Sequence, residues 1–129
     1  MRPNLDMAQL EALLQASPIM TSWQVLIADE AAERAVYKMR CQLLRPALQL
    51  EIRLIQTEAE LLYSYQLFTD RPILRWDNAP HFLALQNFPH HFHEGTSAVQ
   101  ASSLTGDPVY DLPRILTDVQ AFLTRSALS

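Results

Sequence analysis

Glycine and cysteine are almost missing from this chain of 129 residues, which has two of the first and one of the second. With only Gly95 and Gly106 available, no glycine-rich loop of the dinucleotide-binding or Walker kind can be written. Such loops need several backbone positions free of a Cβ to cradle a phosphate. Nucleotide-driven motors and classical hydride-transfer enzymes are therefore excluded. Cys41 has no partner for an intrachain disulfide or a cysteine-based zinc site, which agrees with a reducing compartment. There is no HExxH motif and no paired-carboxylate motif. Ser64, Ser97, Ser102 and Ser103 lack the strand-turn-helix glycine context of a hydrolase nucleophile elbow. No apolar run approaches the length of a membrane span, and the opening residues MRPNLDMAQL have no apolar signal core. The expectation is one cytoplasmic domain over residues 1–129, with no membrane contact and no cofactor.

What is present suits such a domain. Hydrophobic residues make up 49% of the chain and charged ones 19%, enough to close a core without staples. The net charge of −4 hides an uneven distribution. Residues 1–33 carry one basic and five acidic side chains, residues 34–75 seven and four, and residues 76–129 two and five. The middle third is locally cationic, short of a strongly basic nucleic-acid footprint.

The hydrophobic period changes along the chain. In residues 1–17, Met7, Leu10, Leu13 and Leu14 recur at helical spacing, with Asn4 or Asp6 as the N-cap. From Trp23 the period becomes two: Tyr37, Met39 and Cys41 alternate with Lys38 and Arg40, Leu50 and Ile52 with Glu51 and Arg53, Tyr63 and Tyr65 with Ser64 and Gln66, and Leu74 and Trp76 with Arg75 and Asp77. Short connections between these runs predict an antiparallel meander of five or six strands, a sheet core over residues 22–100. A second helical stripe, Leu112, Ile115, Leu116, Val119, Phe122 and Leu123, predicts a C-terminal helix over 111–126 capped by Asp111. The fold class is α+β: a twisted antiparallel sheet with both terminal helices on one face and Lys38, Arg40, Glu51, Arg53, Arg75 and Asp77 on the other.

All four histidines fall between residues 81 and 93, in RWDNAPHFLALQNFPHHFH. If Asn87 to His93 is extended, His91 and His93 share one face, and Phe88, His90 and Phe92 the other. His81 lies just past the Asn78–Pro80 turn and could fold back toward the pair. Three chemistries fit. In metal-free RNA cleavage one imidazole removes the 2′-hydroxyl proton, another protonates the leaving oxygen, and arginines hold the phosphate. In a metal site His81, His91, His93 and Asp77 are the ligands. In a purely structural role the histidines pack on the phenylalanines and bond to main chain.

The order and spacing of RWDNAPH and FPHHFH resemble the TumE-type family, the toxin components of prokaryotic type II toxin-antitoxin pairs. Glu51-Ile52-Arg53 and Tyr63-Ser64-Tyr65 match the family's E-x-R and Y-x-Y patterns, and the likeness covers roughly residues 23–100. Phe82 stands where a second histidine is common, and Phe92 where a basic residue is common. The resemblance implies a toxin acting on RNA and held inactive by a cognate antitoxin, with a homodimer as a further expectation. On that reading His81, His91 and His93 with Arg75 and Asp77 form the catalytic site: His91 and His93 are the acid and base, Arg53 and Arg75 stabilise phosphate, and Asp77 orients a histidine. Lys38, Arg40 and Arg53 extend the RNA-binding surface. The competing reading is a noncatalytic interaction protein in which the same motif fastens the loop after the last long strand.

Overall fold

A computed structural model of the chain describes residues 5–95 and 98–127. Its elements are α1 (Met7–Gln15), β1 (Met20–Glu30), β2 (Arg34–Leu43), β3 (Gln49–Thr57), β4 (Leu61–Phe68), β5 (Pro72–Asp77), β6 (His91–Glu94), β7 (Gln100–Ala101) and α2 (Pro108–Ala127). The seven strands lie in the sheet in chain order, each antiparallel to the next. This is the predicted meander with one strand more than the upper expectation, because the two-residue β7 is too short to carry a period.

Alternation decides which face is covered. The inward residues of β2, β3 and β4, among them Met39, Cys41, Leu50, Ile52, Leu54 and Leu67, are fully buried. They meet Leu10 and Leu14 of α1 and Leu112, Ile115 and Val119 of α2. Each such side chain contributes about 1.5–3 kcal/mol by leaving water. Burial pushes the Cys41 thiol up to about 12, so it is core and not a nucleophile. β1 is different: its outer edge is unpaired among the described strands, and Val25, Leu26 and Ile27 stay about two-fifths exposed. No described helix is long and apolar enough to cross a membrane.

Asp6 caps α1, accepting from the Ala8 and Gln9 amides at 3.0 and 3.4 Å; Asn4, the other cap expected, lies outside the described residues. α2 starts three residues before the expected Asp111. Pro108 occupies the first helical position, where its missing N–H is harmless, and Asp107 accepts from Val109 N at 3.1 Å. Asp111 is instead buried in the first turn. Its carboxylate accepts from the Thr105 amide and hydroxyl, both at 2.9 Å, and from Gly106 N at 2.8 Å, fastening the incoming loop to the helix. Gly106 has a φ of +93°, which a residue with a Cβ rarely adopts, and an added Cβ there would approach His90 Cε1 to 3.4 Å.

Candidate active site

The open face of the sheet is ordered by strand register into two polar rows. Lys38 pairs with Arg53, Arg53 with Ser64, Ser64 with Asp77, and Asp77 with His91. Beside it, Arg40 pairs with Glu51, Glu51 with Gln66, Gln66 with Arg75, and Arg75 with His93. Directly opposed residues have Cβ atoms about 4.5–5.5 Å apart, so Arg75, Asp77, His91 and His93 necessarily meet where β5 and β6 run together. Four of the five expected catalytic residues are thus brought to one corner.

Asp77 organises that corner. It is 4% exposed, and its Oδ1 accepts from His91 Nε2 at 2.7 Å and from Ala79 N at 3.0 Å. Its Oδ2 accepts from Arg75 Nε at 2.8 Å. His91, 2% exposed, turns its other nitrogen, Nδ1, to the Pro89 carbonyl at 3.0 Å. A carboxylate and a carbonyl are both acceptors, so both ring nitrogens of His91 are occupied by protein groups.

His93 has the same parity and a different fate. It is half-buried, and among the described residues its ring makes no hydrogen bond. Its ring centroid lies 5.0 Å from that of His91, edge to face. Burial, with the charge of His91 next, lowers its pKa below the ordinary imidazole value; Asp77 opposes this and Arg75 adds to it. Phe82 covers the pair, with ring centroids 4.7 Å from His91 and 5.9 Å from His93. His81 is exposed and meets Phe82 edge to face, at 6.4 Å between centroids. Potential ligand atoms of Asp77, His91 and His93 lie within 4.8 Å of one another, while His81 is not in that group.

This constellation is reached by a chain whose residues 10–125 match the family model described as toxin TumE. The chain belongs to the toxin TumE family. No curated protein and no solved structure matches it. The match exceeds the 23–100 span that carries the motifs, so both terminal helices fall largely within the region shared with the TumE family. Both departures from the TumE pattern have a place in the structure. Phe82 is the ring over His91 and His93. Phe92 points to the opposite face, where it packs on Trp76 at 5.1 Å between centroids, so a basic residue there would not face the Asp77 corner.

The expected cationic surface is uneven. Lys38 and Arg40 share one carboxylate, Glu51, at 3.8 and 2.9 Å. Arg53 is exposed and has no ion pair or hydrogen bond among the described residues, which leaves its guanidinium available to an anion.

Two residues of the motif do work that was not assigned to them. Asn78 is buried; its Oδ1 accepts from Tyr63 N at 2.9 Å and its Nδ2 donates to the Leu61 carbonyl at 2.8 Å, prolonging the β4–β5 ladder by a side chain. His90 sits on the helix-covered side, with Nδ1 2.7 Å from the Tyr63 hydroxyl and its ring stacked on Tyr63. The inward parity of Tyr63 and His90 was the available signal. The extended reading of Asn87 to His93 holds only from His91. Asn87 has a φ of +61°, which asparagine tolerates, and its Nδ2 donates to the Ser102 and Leu104 carbonyls at 2.7 and 3.0 Å. Phe88 is consequently 41% exposed rather than packed in the core.

Proposed function

We propose that this toxin-family protein is an RNA-cleaving growth inhibitor whose working groups are the cluster at the Asp77 corner together with the exposed His81. The observation that carries the reading is the register that sets Arg75 beside His93 and Asp77 beside His91 on an open sheet face, next to Arg53, which is unpaired among the described residues. His93 is the base. Its depressed pKa keeps it neutral near pH 7, and it removes the 2′-hydroxyl proton as that oxygen attacks phosphorus. The 5′-oxygen leaves and takes a proton from His81, the exposed imidazole beside Phe82. The products are a 2′,3′-cyclic phosphate and a 5′-hydroxyl, and the step needs no cofactor. Arg75, whose terminal nitrogens lie beyond its bond to Asp77, stabilises the charge on the phosphorane. His91 is a positioning residue, because its two ring nitrogens are committed to Asp77 and Pro89.

A second reading has one observation in its favour: the compact group of Asp77, His91 and His93. Two imidazoles and a carboxylate suit zinc or a similar ion holding a hydrolytic water. Metal binding through His91 Nε2 would require it to give up its 2.7 Å hydrogen bond to Asp77, because a nitrogen that carries a proton has no lone pair for an ion.

The test is controlled expression in bacteria with and without the neighbouring gene, total RNA being followed on gels. The expected result is growth arrest with shortened RNA, relieved by the co-expressed antitoxin, and loss of both effects in His93→Ala. Arrest with RNA intact would move the target away from RNA.

A further inference from the structure

Beyond the catalytic cluster, the same face holds a depression of about 310 Å³, at the small end of the range for ligand pockets, roughly 300–1,000 Å³. Its two halves differ in chemistry. Ile55 of β3 and Leu62 of β4 are register partners and, with Pro80 of the following turn, form an apolar ledge. The adjoining row supplies Arg53 and Ser64, and Arg75 and Asp77 close the end nearest the histidines.

The polar groups lining the depression divide into committed and free ones. Both side-chain polar atoms of Asn78 bond to β4 main chain. The Asp77 carboxylate is taken by His91, Arg75 and Ala79. What remains is the Arg53 guanidinium, the terminal nitrogens of Arg75 and the Ser64 hydroxyl. The free groups are therefore mainly donors, set beside a flat apolar ledge. A ligand made for this place has an apolar face and an acceptor-rich edge, with a phosphate toward Arg75.

We infer that the Ile55–Leu62–Pro80 ledge is a nucleobase subsite that takes one unpaired guanine of an RNA strand, its O6/N7 edge read by Arg53. The guanidinium fork matches that pair of acceptors. The base must be unpaired, because a base within a duplex cannot be laid on the ledge. The subsite rests on the RNA reading above and gives it a substrate: single-stranded RNA with a guanine next to the cleaved phosphate.

The probe is a short, uridine-rich 2′-O-methyl strand, which cannot be cleaved, carrying one guanine. Its control is the same strand with an abasic sugar in place of the guanine, so charge and backbone are unchanged. The expected result is tighter binding of the guanine strand by roughly five- to a hundred-fold, the range for one bidentate arginine–guanine pair. Leu62→Thr and Arg53→Ala should each shrink that ratio; Leu62→Thr should leave the affinity for the abasic strand as it was. Leu62 is half-buried on the open face and threonine suits a strand, and circular dichroism verifies folding. Equal affinity of the wild type for the two strands overturns the subsite while leaving RNA binding in place. Binding of neither strand overturns both the subsite and the RNA reading.

Discussion

Replacing Asp77 by asparagine keeps the shape of the side chain and removes the charge on which the corner depends. Three donors converge on the carboxylate at 2.7, 2.8 and 3.0 Å, and the amide can face at most part of this set without opposing N–H to N–H. The Arg75 side chain is 48% exposed, so water replaces much of its lost partner and its share is that of a surface pair, about 0–1 kcal/mol. His91 is 2% exposed and has no such recourse. Removing one member of a buried, hydrogen-bonded pair costs about 3–5 kcal/mol at full burial. Allowing for the acceptor oxygen that asparagine retains, the expected loss is about 2–4 kcal/mol. At roughly 4 °C per kcal/mol for a chain of this size, that lowers Tm by about 8–16 °C. Urea unfolding followed by circular dichroism measures it. A double-mutant cycle with His91→Asn should return a coupling of about 1–3 kcal/mol between the two positions. An Asp77→Asn variant within about 0.5 kcal/mol of wild type, the range of an ordinary surface substitution, would refute the claim that this carboxylate organises the corner.

Other outcomes follow from the same geometry. His90 and His93 both have pKa values lowered chiefly by burial, so the unfolded chain binds protons more readily than the folded one just below the ordinary imidazole pKa of about 6.5. Their contribution to stability is complete above that pH and is lost as pH falls toward the depressed folded values. Urea midpoints should therefore drop below about pH 6.5, and His93→Gln should flatten part of the slope; midpoints that rise on acidification would contradict the burial of these rings. Asn78→Ala leaves the Tyr63 amide and the Leu61 carbonyl without partners and should cost about 2–4 kcal/mol in the same assay, whereas a neutral effect would mean that the ladder extension is unimportant. Cys41 should resist thiol reagents in native buffer and react on unfolding, since burial holds the thiol near 12; stoichiometric labelling of the native protein would place it elsewhere.

The sheet from Arg34 to Asp77 could be read residue by residue because one face is covered by helices and the other is open, a division that writes itself into the sequence as strict alternation. Once Ser64 is opposite Asp77 and Gln66 opposite Arg75, the polar rows follow. β1 was less readable: Val25, Leu26 and Ile27 break the alternation at a register shift on an edge strand. In the connection from Asn78 to His90 the turn at Asn78–Pro80 is legible, but the extension expected from Asn87 fails before His91, since its course is set by tertiary bonds, from Asn78 to β4 and from Asn87 to Ser102 and Leu104. Asp111 resembled a cap because acidic residues before helical stripes usually are caps, and only the returning Thr105–Gly106 loop explains its burial. His91 and His93 were equivalent by parity. What separates them is local: a Pro89 carbonyl and the Asp77 carboxylate reach one ring and not the other.

The most direct measurement is single-turnover cleavage of end-labelled, unstructured RNA by the wild type and by His93→Ala, with and without a chelator, with the fragment ends identified. The expected result is fragments ending in 2′,3′-cyclic phosphate, a rate indifferent to chelator, and a loss of roughly 10²–10⁴-fold in His93→Ala, the usual contribution of a positioned acid or base. Cleavage that survives the substitution unchanged, or that vanishes on chelation, would contradict a metal-free imidazole site at the Asp77 corner.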